Sequence, residues 1–344
     1  MASRTSSKPL PVGGLYCPWT WGMCVPENRM TESMTLDRLD GAPTPWHALV
    51  DVISLAYSFY SHSRHDDGRR MLVRAYMYLL PHGVFPPAAY PTVYEYREGL
   101  RHILDSSWAL ASEEYDYKRP SPLLRSFVES ITPFTSLDAK QRAALIAIQA
   151  RVNTIPGSNF PESGGFSLGN QGGGESLLRT CIDLSPMEGE WRFRLAEYMD
   201  GNIFCSAEPS EKLQLLRDAY RLRKTPDCTL LLARTLLSNT KHVSSALEAR
   251  SLLDEALSLW PDNPYVLVEG ADIIMLLDAG KSIKACTEAL RMTERAVQLV
   301  GDRAYLRLKL AHICSQLGRS REAGAHLAMA RRINPTGAPL FMEY

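Results

Sequence analysis

In the C-terminal half, apolar positions recur at helical spacing, and the rhythm breaks at regular intervals. Between Ala304 and Pro335 the pattern predicts two helices. Leu310 and Ala311 place a large and a small residue on the first. Gly318 marks the turn, and Ala323, Leu327 and Ala330 mark the inner face of the second, which Pro335 ends. Small residues at such points let two antiparallel helices approach closely, and large ones fill the groove between them. The signature recurs upstream. Ala249, Leu253 and Ala256 precede Pro261, Ala289 and Ala296 precede Gly301, Ala219 precedes Pro226, and Cys181 precedes Pro186. The terminators 186, 226, 261, 301 and 335 are spaced 40, 35, 40 and 34 residues apart. Longer loops near Ser206–Ser210 and Thr240–Ser244 account for the excess. No segment alternates as a strand would.

Helix–turn–helix units at a period of about 34 are the tetratricopeptide pattern. The expected fold class is therefore all-α, a tetratricopeptide-repeat solenoid of roughly six to eight antiparallel helix pairs in one continuous array. The N-terminal half is less regular. Trp46, Leu49, Val50, Ile53 and Tyr57 give a helix over Pro45–Tyr60. Asp66 and Asp67 offer caps for a second helix running to Leu80, where Pro81 stops it. Further helices are expected over Tyr94–Ala111 and Leu137–Val152. The stretch Pro156–Gly174 holds seven glycines and reads as a flexible loop. The expected organisation is an N-terminal segment (1–44), degenerate helical repeats (45–155), the Gly-rich loop (156–174), tetratricopeptide repeats (175–335) and a tail (336–344).

Composition narrows the function classes. Lys+Arg and Asp+Glu are both 38, so the net charge is zero, which argues against bulk coating of nucleic acid or membrane. No unbroken apolar run exceeds the six residues Ala143–Ile148, against the ~20 a spanning helix needs. The start, MASRTSSKPLPVGG, lacks the apolar region of a secretory signal. Seven scattered cysteines predict structural thiols in a reducing cytosolic or nuclear compartment, with cytoplasmic the expected location. Cys17 and Cys24 have no neighbours to complete a zinc site, and His62 and His65 read as solvated loop residues, so no metal or cofactor is expected. Glu175 after Gly174 replaces the lysine a phosphate loop needs. No nucleophile–base pairing marks an enzyme. The charge asymmetry is local. Between 301 and 335, seven Lys/Arg (303, 307, 309, 319, 321, 331, 332) face only Asp302 and Glu322. Lys212, Arg217, Arg221, Arg223 and Lys224 make a second basic stretch.

The segment Cys17-Pro18-Trp19-Thr20-Trp21 resembles the Cys-His-Phe-Thr-Trp near the start of interferon-induced proteins with tetratricopeptide repeats. Glu27-Asn28-Arg29-Met30 resembles the Glu-Asn-Arg-Val that follows there. Leu230–Leu237, Ala256-Leu257, Pro264–Leu267, Lys284-Ala285 and Leu306–Cys314 continue in the family's order. Members of that family are longer. The resemblance implies a basic pocket for the 5′ end of viral RNA and a role in antiviral innate defence. By that correspondence Arg29 falls on an RNA-facing residue and Tyr265 on a pocket tyrosine. Val268 and Met199 stand where arginines are expected, and Gln149 where a lysine is. Arg307 and Lys309 lie beside a replaced His-Gln pair. Arg29, Tyr265, Arg307 and Lys309 are thus the RNA-binding candidates, with Arg307 and Lys309 expected on one helix face. The competing expectation is a protein-interaction adaptor whose concave groove receives a peptide or helix, with no RNA activity and no membrane or small-molecule partner.

Overall fold

In a computed structural model, the chain is described over residues 14–18, 29–39, 45–79, 95–111, 122–152, 174–201, 209–239, 243–278 and 282–335. Among these residues there are α-helices, short 3₁₀ turns such as Phe134–Ser136, and no strand. The helices are α1 (Arg29–Arg38), α2 (Pro45–Ser61), α3 (His65–Tyr78), α4 (Arg97–Ala111), α5 (Pro122–Ser130), α6 (Ala139–Val152) and α7 (Gly174–Leu184). They continue as α8 (Gly189–Gly201), α9 (Pro209–Leu222), α10 (Pro226–Asn239), α11 (Val243–Leu259), α12 (Pro264–Leu277), α13 (Ile283–Val300), α14 (Ala304–Gln316) and α15 (Ser320–Ile333). The fold is all-α, built from helix pairs of tetratricopeptide type.

The helices divide between two units. The first holds Leu49–Pro186 with the N-terminal stretch, and α6 packs on both α4 and α7. Leu100, Ile103, Leu104 and the run Ala143–Ile148 fill its core. Tyr16 is pinned there. Its ring stacks on Phe134, its hydroxyl donates to Gln149 Oε1, and its N–H donates to His102 Nε2 at 3.0 Å.

The second unit takes residues 28–48 and 187–344. Its repeats are the pairs α8/α9, α10/α11, α12/α13 and α14/α15. The small residues read from the sequence sit where helices meet. Ala219, Ala249, Ala256, Ala289, Ala296, Ala323 and Ala330 are all buried. First helices are linked to first helices by ion pairs (Arg234–Glu269, Lys309–Asp272), and second to second (Arg217–Glu248, Arg250–Glu288). The pairs therefore form two layers. Turn chemistry sets their boundaries. Asn263 and Ser282 cap α12 and α13 with their side chains. Gly301 and Gly318 close α13 and α14 at φ of 79° and 72°, a region that glycine enters without steric cost.

Several boundaries differ from the sequence expectation. Asp66 and Asp67 do not cap α3; they lie inside its first turn, where Asp67 holds Arg64, and the helix stops at Tyr78 rather than Leu80. His65 opens α3 rather than lying in a loop, and His62 is tied to the Ser58 carbonyl. Pro226 opens α10, where its missing N–H costs nothing. Ser210 and Ser244 belong to α9 and α11, and the rest of the two expected loops, 206–208 and 240–242, lies outside the described residues. Of the Gly-rich stretch only Gly174 is described, and it opens α7. Residues 156–173, the tail 336–344 and the motif beyond Pro18 lie outside the described residues.

Candidate binding face on the second unit

Helix α8 carries Glu190, Arg194 and Glu197 at spacings of four and three, which puts them on one face. Arg194 is buried, and its Nε donates to Glu190 Oε1 at 2.7 Å while Nη1 donates to Glu197 Oε2 at 3.0 Å. Asp227, on the next first helix α10, approaches its Nη2 at 3.6 Å. His47 completes the cluster, with Nε2 at 2.5 Å from Arg194 Nη1 and Nδ1 at 3.6 Å from Asp227 Oδ2. Trp46 packs edge-on against Trp191, with ring centroids 5.7 Å apart. Burial pushes the Glu190 carboxyl above its usual range, and Arg194 and His47 offset only part of that. Burial also works against the charge of Arg194, but Glu190, Glu197 and Asp227 outweigh it and strengthen the guanidinium's hold on its proton. With one guanidinium among three carboxylates, a charged Arg194 is the stable state.

The ion pairs continue along the first-helix layer. Arg234 on α10 donates to Glu269 Oε2 on α12 at 3.2 Å and to Asp200 Oδ2 on α8 at 2.9 Å. Lys212 joins Asp200 from α9. Tyr265 stands half-buried in the first turn of α12, where burial and then the Glu269 carboxylate push its phenol well above the usual value. Seven residues further on, Asp272 takes Lys309 of α14 at 2.6 Å. Glu190, Glu197, Asp200, Asp227, Glu269 and Asp272 thus face Arg194, Lys212, Arg234 and Lys309. Carboxylates are in excess.

Of the four RNA candidates, three have described side chains. Arg29 opens α1, and its side chain lies outside the described residues. Arg307 and Lys309 do not share a face. Two residues along a helix is a turn of about 200°, so Arg307 reaches Asp302 and the His326 ring on α15, while Lys309 reaches α12. Burial and then Arg307 hold the His326 imidazole below its usual range, which suits an acceptor nitrogen facing a guanidinium. Val268 is part of the apolar core. Gln149 lies in the first unit, engaged by Tyr16. Tyr265 does belong to the ion-paired face. The Arg194 cluster is not visible in a count of charges along the chain. The signal that marks it is three charged residues at i, i+4 and i+7 on a first helix, flanked by the buried Trp191, Phe193 and Leu195.

No protein-family model matches the sequence, and no curated protein matches it. Among solved structures, the human IFIT1 dimer with PPP-AAAA is 15% identical over 93% of this chain and 75% of its own, with a TM-score of 0.41. A thermophilic TPR protein of Thermus thermophilus is 18% identical over 50% of this chain and 87% of its own, at 0.42. PilW, a type IV pilus biogenesis factor, is 11% identical over 83% and 94%, at 0.38. Likeness at this level concerns fold alone, and the tetratricopeptide assignment rests on the helix pairing described above. No described helix is long and apolar enough to cross a membrane, and no described group of His, Cys, Asp or Glu is arranged to hold a metal ion.

Proposed function

We propose that the chain is a non-catalytic tetratricopeptide-repeat scaffold whose first-helix face in the second unit receives a polypeptide segment. The supporting observation is that the cations of this face are already matched by the chain's own carboxylates. Binding an RNA backbone requires several convergent cations that can give their donors to phosphate. Here Lys309, Arg234 and Arg194 would first have to leave Asp272, Glu269 and Glu190. The displaced carboxylates would then face the incoming phosphates. A polypeptide meets no such repulsion, and basic side chains on it would balance the carboxylate excess. A photo-crosslinking phenylalanine analogue at Tyr265 is the direct test. The expected adducts are sensitive to protease and resistant to ribonuclease. Ribonuclease-sensitive adducts would overturn the proposal. So would RNA affinity that falls with salt at about −0.7 per phosphate contact and is lost in Lys309→Glu.

A further inference from the structure

We propose that α1 is a detachable latch on the last repeat, held in cis by the chain's own N-terminal segment. The last repeat differs from the one before it in how its first helix is capped, and from the two before it on the flank of its second helix. Helices α12 and α13 are capped by their own residues, but Arg303 before α14 gives no side-chain cap. Asp37 of α1 supplies the missing acceptors. Its Oδ1 takes the Ala304 N–H at 3.2 Å, and its Oδ2 takes the Tyr305 N–H at 3.1 Å. A carboxylate suits that end of the helix dipole.

The second difference is on α15. Aligned on their buried alanines, Leu252 of α11 and Met292 of α13 correspond to His326, and Trp260 and Val300 to Asn334. In α11 and α13 these positions pack into the apolar core. On α15 they are polar, so this flank is not built to receive a further apolar helix. Asn334 is buried all the same, because Ser33 of α1 covers it. Ser33 Oγ donates to Asn334 Oδ1 at 2.7 Å, and Asn334 Nδ2 donates to the Ser33 carbonyl at 3.3 Å. Helix α1 thus bonds the start of α14 and the end of α15 together.

The bond is reversible by construction. Its hydrogen bonds to the last repeat are polar, Leu36 on the same helix stays exposed while Leu39 just beyond it is buried, and α1 has only ten residues. Helices that short are marginal without a partner surface. Release would uncover the first turn of α14, the last first helix of the face proposed to receive a polypeptide. Only that consequence rests on the proposed function; the latch itself is tested without any partner.

The test uses the full chain, its Ser33→Ala/Asp37→Ala variant and a labelled synthetic peptide of residues 26–40. Amide exchange at Ala304 and Tyr305 should quicken by about fivefold or more in the variant, the change expected for a lost cap. Amides of α10 to α13 should be unaffected. The peptide should bind the variant and not the parent protein, whose site is filled. Unchanged exchange, failure of the variant to take the peptide, or equal binding by both proteins would each overturn the latch. If the variant does not fold, Ser33→Cys/Asn334→Cys replaces it. A disulfide there should form readily and slow exchange at Ala304 and Tyr305 further. Failure to crosslink, or crosslinking without slower exchange, refutes the proposal.

Discussion

Replacing Arg194 by methionine removes one cation and keeps most of the side-chain volume. It leaves Glu190 and Asp227 facing each other in the second unit with no guanidinium between them, and both are almost wholly buried, at 5% and 1% exposure. Breaking a buried pair by removing one partner costs about 3–5 kcal/mol, because the remaining charge is uncompensated. For a unit of this size each kcal/mol moves the melting temperature by about 2–4 °C, so the expected loss is about 6–20 °C, read by circular dichroism at 222 nm. The sign of the pH dependence is a second constraint. Glu190 already holds its proton more tightly in the folded state than its ordinary value of 4.5 implies. Above 4.5 the folded state therefore binds more protons than the unfolded one, and stability contributed by this group falls as pH rises through the folded value. Removing Arg194 enlarges that effect. The gap between variant and parent should be widest near pH 7 and narrow as pH falls toward 5. Adding Glu190→Gln should recover part of the loss at pH 7. A variant as stable as the parent, or a gap independent of pH, would refute the account of Arg194 as the charge that makes this cluster tolerable.

The remaining expectations concern packing, protonation and surface charge. A Cβ at Gly189 would lie 2.8 Å from the Ala219 carbonyl oxygen, so Gly189→Ala should cost about 1–3 kcal/mol, whereas Gly324, with nothing within 4 Å, should gain about 0.5–1 kcal/mol as alanine; thermal melts of the two variants check both signs. His102 accepts the Tyr16 N–H and is bonded to the Thr132 carbonyl, and burial lowers its pKa. Its contribution to stability should be complete above its ordinary value of 6.5 and decline as pH falls below it, and the decline should be absent in His102→Gln. Arg307→Glu and Lys309→Glu should each cost about 0.5–1.5 kcal/mol, since each meets a partly exposed carboxylate, and the two losses should add within about 0.5 kcal/mol because the side chains point apart. A strong coupling in the double variant would show that they share a face after all.

What the sequence made legible follows from what is local. A buried alanine such as Ala256 or Ala296 is required wherever two helices cross closely, so its spacing survives when everything around it varies. Gly301 and Gly318 are legible for the same reason: each is needed by the backbone at its own position. The pairing of charges is not local. Lys309 finds its carboxylate 37 residues earlier, Arg234 bridges helices on both sides, and Asp37 caps a helix 268 residues away. A basic count over 301–335 therefore suggested open cations where the fold supplies counter-charges. The resemblance pointed to Tyr265, which does stand on the ion-paired face. The opposite directions of Arg307 and Lys309 could have been read from helical geometry alone.

The latch and the ion-paired face make a joint statement about affinity. If the site is competent only when α1 is released, a partner's apparent dissociation constant is its intrinsic one divided by the released fraction. A closed state favoured by about 2.7 kcal/mol would be open about one per cent of the time and weaken binding about a hundredfold. The polar contacts named here have the strength for such a value, since each hydrogen bond contributes roughly 0.5–1.5 kcal/mol net and a cap about 1 kcal/mol. They are too few to make closure permanent once the cost of ordering ten residues is set against them. The ratio of partner affinities between the Ser33→Ala/Asp37→Ala variant and the parent measures this free energy directly. The same quantity governs exchange at Ala304 and Tyr305, where opening exposes the capped amides. The two measurements must therefore agree. If affinity rises a hundredfold while exchange is unchanged, α1 does not protect the two N–H groups of α14, and the latch is refuted.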